Sequence, residues 1–185
     1  MAHLAIMALA DSMALLPHPL TPAAGLRIDA RAERFAGDLL QVNYVATGEG
    51  IQLAAPAQVE RADELWKATC FEAFVMAPEG PAYLEMNLAP SRKWALYAFD
   101  TYRHGMRSPP APTPEIEIKT ASDRLELAAR IELSGLAPPG PWRVALTAVV
   151  ERTDGAKSYW SLAHPEGKPD FHNPAGFVLT LPEPV

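Results

Sequence analysis

Residues 63–107 read DELWKATCFEAFVMAPEGPAYLEMNLAPSRKWALYAFDTYRHGMR, and this stretch decides the fold. It holds Trp66 and Trp94, Tyr83, Tyr97 and Tyr102, and Cys70, the single cysteine of the chain. Apolar and polar residues alternate with period two, and Pro or Gly ends each run, so the stretch predicts three strands joined by turns. Phe71–Met76 forms the first, and Pro78, Gly80 and Pro81 turn the chain. In the second, Leu84, Met86 and Leu88 share a face to be buried, while Tyr83, Glu85 and Asn87 share the other. Pro90 and Ser91 turn into the third, Lys93–Asp100, whose apolar residues on both faces predict a central position in its sheet.

A strand face bearing Glu85, Asn87 and a neighbouring Glu72 needs a physical account. Two carboxylates at cross-strand distance repel unless a cation, a proton or a ligand hydroxyl answers them. This polar face is the first candidate site. The competing account is a solvated outer face on which Arg92 or Arg103 pairs with either Glu.

Working outward, apolar residues alternate again from Leu125 to Leu133 and from Trp142 to Arg152, with Asp154–Gly155 turning into Lys157–Trp160. Met13–Leu16, Leu26–Ala32, Leu39–Ala46 and Phe177–Leu181 read as strands, and Gly48 and Gly50 make Ile51–Ala54 a hairpin partner for Leu39–Ala46. The four prolines in 109–114 form a stiff crossover, and HPEGKPDFHNPAG, residues 164–176, is a loop. About ten short strands without a helix predict an all-β fold, a two-sheet antiparallel sandwich.

The chain has 185 residues, 49% of them hydrophobic, enough for one core and one domain. Residues 13–185 are taken as that domain and 1–12 as a flexible extension. The net charge of −6, with no run of Lys and Arg, disfavours nucleic acid or an anionic membrane as partner. One cysteine makes no internal disulfide, and between Thr69 and Phe71 it reads as a small buried strand residue. The opening MAHLAIMALADSMALL lacks a basic n-region and is interrupted by Asp11, so the expected location is cytoplasmic.

Trp66 and Trp160 fall in or beside loops, where two facing rings would make a slot for the C–H side of a sugar ring. Each could equally cap the core. Trp66 precedes Glu72 by about 20 Å of extended chain, so the two share a site only if the chain folds back. His164 and His172 fit no compact zinc spacing, and no metal site is expected. Met76, Met86 or Met106 with His164 or His172 would supply the residue types of a haem iron's axial pair, and spacing selects none of them. Glu72 and Glu85 could also serve as general acid and base of a glycoside hydrolase, without a further catalytic motif beside them.

LWKATCFEAFV, YLEMNLAPSRKWALYAFDTYRHGM and SYWSLAHPEGKPDFHNPAGFVLTL together resemble the bacterial DOMON-like proteins related to family 9 carbohydrate-binding modules. The resemblance runs from about Leu16 to Leu181. It implies an immunoglobulin-like β-sandwich and a non-catalytic domain that clamps a small sugar between aromatic side chains. It nominates Trp66 and Trp160 as walls and Glu72 and Asn87 as hydroxyl partners. Glu85 shares their face, and Arg103 and His172 lie in well-matched blocks. Other DOMON relatives bind haem, which keeps an electron-transfer module as an alternative.

Overall fold

The alternation along 125–133 becomes a strand, Arg124–Glu132, with Leu125, Leu127, Ala129 and Ile131 buried on one face. The same period builds nearly every element of the computed structural model, which describes residues 11–21, 23–55 and 57–184. The expected extension, 1–12, falls outside the described residues except for Asp11 and Ser12. In chain order the strands are β1 Met13–Pro17, β2 Arg27–Phe35, β3 Leu39–Thr47, β4 Glu60–Arg61, β5 Cys70–Met76 and β6 Tyr83–Leu88. They continue with β7 Lys93–Phe99, β8 Glu115–Ala121, β9 Arg124–Glu132, β10 Trp142–Glu151, β11 Lys157–Ser161 and β12 Leu179–Leu181. Among the described residues the only helical turns are short 3₁₀ segments at Leu65–Lys67 and Pro174–Gly176. No helix among them is long and apolar enough to cross a membrane.

The strands form one curled, hydrogen-bonded path in the order β4-β7-β6-β5-β10-β11-β1-β2-β3-β9-β8, with β12 beside the start of β10. β1 is the joint: Met13–Leu15 pair with β2, whereas Leu16 and Pro17 pair with β11. The apolar faces on either side of this joint meet in one core. Ile28, Leu40, Val42 and Leu127 come from one half, and Phe71, Met86, Leu96 and Leu146 from the other. Tyr44 ties them together, its ring 4.9 Å from Phe71 and its hydroxyl donating to the Glu72 carbonyl at 2.6 Å. Its polar tip is thus satisfied inside the core.

The structure corrects three strand expectations. The sheet is mixed, because the two-residue β4 runs parallel to β7. Ile51–Ala54 forms no hairpin arm: Ile51 makes a single bridge to Arg152, while β3 lies in nine-residue register between β2 and β9. Both edges of β3 are already paired, which leaves no backbone groups for a third neighbour. Finally, β7 is next to the edge strand β4 and not central. Its outer face is apolar because Tyr97 and Phe99 join Phe74, Tyr83 and Phe177 in a second cluster, under Leu65 and Phe171. That covered outer face positions the site.

Candidate functional site

Glu72 stands on β5 between Asn87 of β6 and Thr147 of β10, and Glu85 stands on β6 between Phe74 and Tyr97. All point away from the main core, as strand alternation requires. Glu72 and Glu85 are therefore diagonal neighbours, their backbones roughly 7–8 Å apart along the ladder, and not directly opposed. The face is buried: Glu72 is 3% exposed, Glu85 5%, and Asn87 and Thr147 fully enclosed.

Polar partners hold the carboxyls in place. Asn87 Nδ2 donates to Glu85 Oε1 at 2.7 Å, and Thr147 Oγ1 donates to Glu72 Oε2 at 3.3 Å. Cys70, buried and unpaired, directs its thiol at Asn87 Oδ1 across 3.6 Å, and burial pushes that thiol up. The nearest basic group is His172, whose Nε2 lies 3.8 Å from Glu85 Oε2. Arg103 pairs instead with Asp170, at 2.8 Å.

Burial sets the protonation of this floor. It pushes Glu72 well above the usual carboxylate range, with the Glu85 charge adding to it and the Thr147 hydroxyl opposing it. Glu85 is pushed up to about 7 by burial, against the Asn87 hydrogen bond and the Arg103 charge. His172 is pushed down to about 4, by burial first and by Arg103 second. Near neutral pH the floor thus offers a carboxyl shifted toward its protonated form, a half-titrated one and a neutral imidazole. Such groups both donate and accept hydrogen bonds.

Loops form the walls. The chain folds back through the Leu65–Lys67 turn, preceded by Glu64 in left-handed conformation at φ 62°. This brings Trp66 over the sheet, edge-on to Tyr97 with ring centres 6.1 Å apart. Tyr97 Oη donates to Asp63 Oδ1 at 2.7 Å and so anchors that turn. On another side, Asp170 accepts from Arg103 and from Tyr102, each at 2.8 Å, and from the backbone N–H of His172 at 3.3 Å. Asp170 therefore fastens the loop after β7 to the loop after β11. The half-open cavity is about 380 Å³, lined by Trp66, Glu72, Glu85, Arg103 and His172 together with Tyr97, Phe99, Tyr159 and Phe171, among others. This volume lies in the range of small-molecule sites.

Of the residues nominated from the sequence, Trp66, Glu72, Glu85, Arg103 and His172 meet at this cavity, and Asn87 lies beneath it, holding Glu85. Trp160 does not join them. It is 2% exposed in the main core, and its Nε1 donates to Ser158 Oγ at 2.8 Å. Strand alternation is the reason: β11 sends Trp160 inward and Tyr159 outward, opposite Val149. The wall expected from Trp160 is supplied by Tyr159 and Phe171, 6.1 Å apart. Carrying the parity of β10 across the Asp154–Gly155 hairpin would have found Tyr159. His164 lies elsewhere, its Nε2 2.8 Å from the Leu16 carbonyl. Among the described residues no group of three His, Cys, Asp or Glu is placed to hold a metal ion.

The sequence matches no protein-family model and no curated protein. Its fold does match solved structures. A candidate carbohydrate-binding protein from Bacteroides uniformis superposes with a TM-score of 0.60 over 85% of this chain and 78% of that one, at 16% identity. A carbohydrate-binding module of family 9 from Caldicellulosiruptor kristjanssonii, in complex with glucose, superposes with a TM-score of 0.52 over 85% and 76%, at 10% identity. At these identities the likeness is one of fold.

Proposed function

We propose that the protein is a non-catalytic binding module whose cavity takes a small carbohydrate. One observation carries this reading: aromatic rings of Trp66, Tyr97 and Tyr159 surround a floor of buried groups able both to donate and to accept hydrogen bonds. A sugar ring has the same division, with an apolar C–H face and hydroxyls at its edge. The fold shared with a module holding glucose supports it. By the same reading we place the chain among DOMON-like relatives of such modules and take the two halves of its sheet as layers of an immunoglobulin-like sandwich.

Titrating tryptophan fluorescence with glucose, cellobiose and other mono- and disaccharides tests the proposal. A saturable change is expected, abolished in Trp66→Ala and weakened in Tyr159→Ala. Undiminished affinity in Trp66→Ala would sink it.

A hydrolase reading has one observation in its favour, since Glu85 titrates near 7, where a general acid works. However, Glu72 and Glu85 rise from adjacent strands of one floor, whereas glycosidase carboxyls flank the scissile bond. Turnover of aryl glycosides lost in Glu85→Gln would establish it. Haem fits less well: Met106 and His172 share the cavity, yet Nδ1 of His172 is bonded to Tyr83 and Nε2 faces Glu85. We assign the site no cofactor, and the purified protein is expected to show no Soret band.

A further inference from the structure

We infer that the cavity is built for a ligand carrying a protonated amine, an amino sugar whose ammonium group sits against Glu72 and Glu85. This rests on the sugar-binding reading and specifies the class of sugar.

The floor has two acidic groups, which the Arg103 charge reaches only at a distance. Among the described residues neither Glu72 nor Glu85 forms an ion pair with Lys or Arg, and Glu85 has only His172, at 3.8 Å. Glu72, 3% exposed, receives a hydrogen bond from Thr147 on Oε2 and lines the cavity. Arg103, the one Arg or Lys among the described residues lining the cavity, is engaged by Asp170, which also takes the Tyr102 hydroxyl. Burial favours the neutral form of these carboxyls, and a ligand that brings a positive charge stabilises the carboxylate form beside it.

The walls suit the same ligand. Trp66, Tyr97, Tyr159 and Phe171 present aromatic rings around the carboxyls. Aromatic faces attract cations through the ring quadrupole, and a cage of rings above acidic groups holds an ammonium more firmly than a neutral hydroxyl. A neutral sugar can still bind by stacking and hydroxyl contacts. It leaves the charge imbalance in place, and an acidic sugar worsens it. The net charge of −6 acts in the same direction at long range.

The groups facing the ammonium would be Glu72, Glu85, His172, Arg103, Tyr97 and, behind His172, Tyr83 and Asp170. Of these, Glu85 titrates near neutrality. Seating a cation beside it favours the carboxylate, so binding at pH 7 releases a proton to the buffer.

Calorimetric titration of the whole chain at pH 7 with glucose, glucosamine, N-acetylglucosamine, glucuronate and choline tests the inference. Glucosamine is expected to bind about tenfold tighter than glucose or N-acetylglucosamine, with glucuronate weakest. Its heat should depend on the buffer's ionisation enthalpy, as proton release requires. Combining Glu72→Gln with Glu85→Gln should abolish the preference for glucosamine over glucose. Equal affinity for glucose and glucosamine would overturn the inference and leave the sugar reading standing. Choline binding without any sugar binding would uphold the cationic site and overturn the sugar reading. Absence of binding across the series would overturn both.

Discussion

The hydroxyl of Tyr83 lies 2.7 Å from Nδ1 of His172, joining the floor strand β6 to the loop that closes the cavity. The same oxygen accepts the backbone N–H of Arg103 at 3.1 Å, which leaves the phenolic proton free to donate to Nδ1. Nε2 of His172 is directed toward Glu85. One hydroxyl thus contacts both loops.

The buried acids and the buried imidazole oppose one another in the pH dependence of stability. Glu85 holds its proton up to about 7 in the folded state against an ordinary value of 4.5. Its contribution is fully present below about 4.5 and lost as pH rises to about 7. Glu72 acts in the same direction. His172, at about 4 against 6.5, contributes fully above about 6.5, and this is lost as pH falls toward 4. His172→Phe should therefore unmask a stability that declines as pH rises from 4.5 to 7. Glu72→Gln combined with Glu85→Gln should unmask one that increases from pH 4 to 6.5. Slopes on the order of 1 kcal/mol per pH unit are expected in denaturant titrations, and unchanged slopes would refute the assignment.

The two tryptophans nominated from the sequence separate by experiment. Trp160→Ala removes a core ring and should destabilise by about 3–5 kcal/mol in urea titrations. Trp66, 39% exposed, should cost well under that on removal to Ala, while sugar affinity is lost.

Asn87 is fully enclosed and donates to Glu85. Asn87→Ala should lower stability by roughly 1–3 kcal/mol, because Glu85 loses its buried donor. The Glu85 carboxyl should also titrate above its present value of about 7, since the hydrogen bond that opposes burial is gone. Carbon-detected NMR titration of the Glu85 carboxyl reads this directly.

Gly105, at φ 69°, sits where a Cβ would overlap the Asp100 carboxylate, which in turn pairs with Arg107. Gly105→Ala should distort the turn carrying Arg103 and Met106, costing about 1–3 kcal/mol by thermal melting and lowering ligand affinity.

Much of the fold could be read from residue order because strands repeat with period two. That period put Leu84, Met86 and Leu88 on one face and Tyr83, Glu85 and Asn87 on the other, and the register of β5, β6 and β7 keeps them there. The succession of short alternating runs ended by Pro and Gly also indicated an all-β chain without a helix. Pairing partners were less legible, because backbone hydrogen bonds carry no side-chain signature, and so the Ile51–Ala54 arm and the central place of β7 were misplaced.

The sequence by itself determined which side chains share a strand face, and with that the acidic floor of the site. Only the tertiary structure decided that this face is covered and that the 65–67 turn brings Trp66 back over the sheet, edge-on to Tyr97. Alternation is a local property, fixed by the geometry of a single strand. Which side of that strand meets the core depends on contacts between residues far apart in the chain.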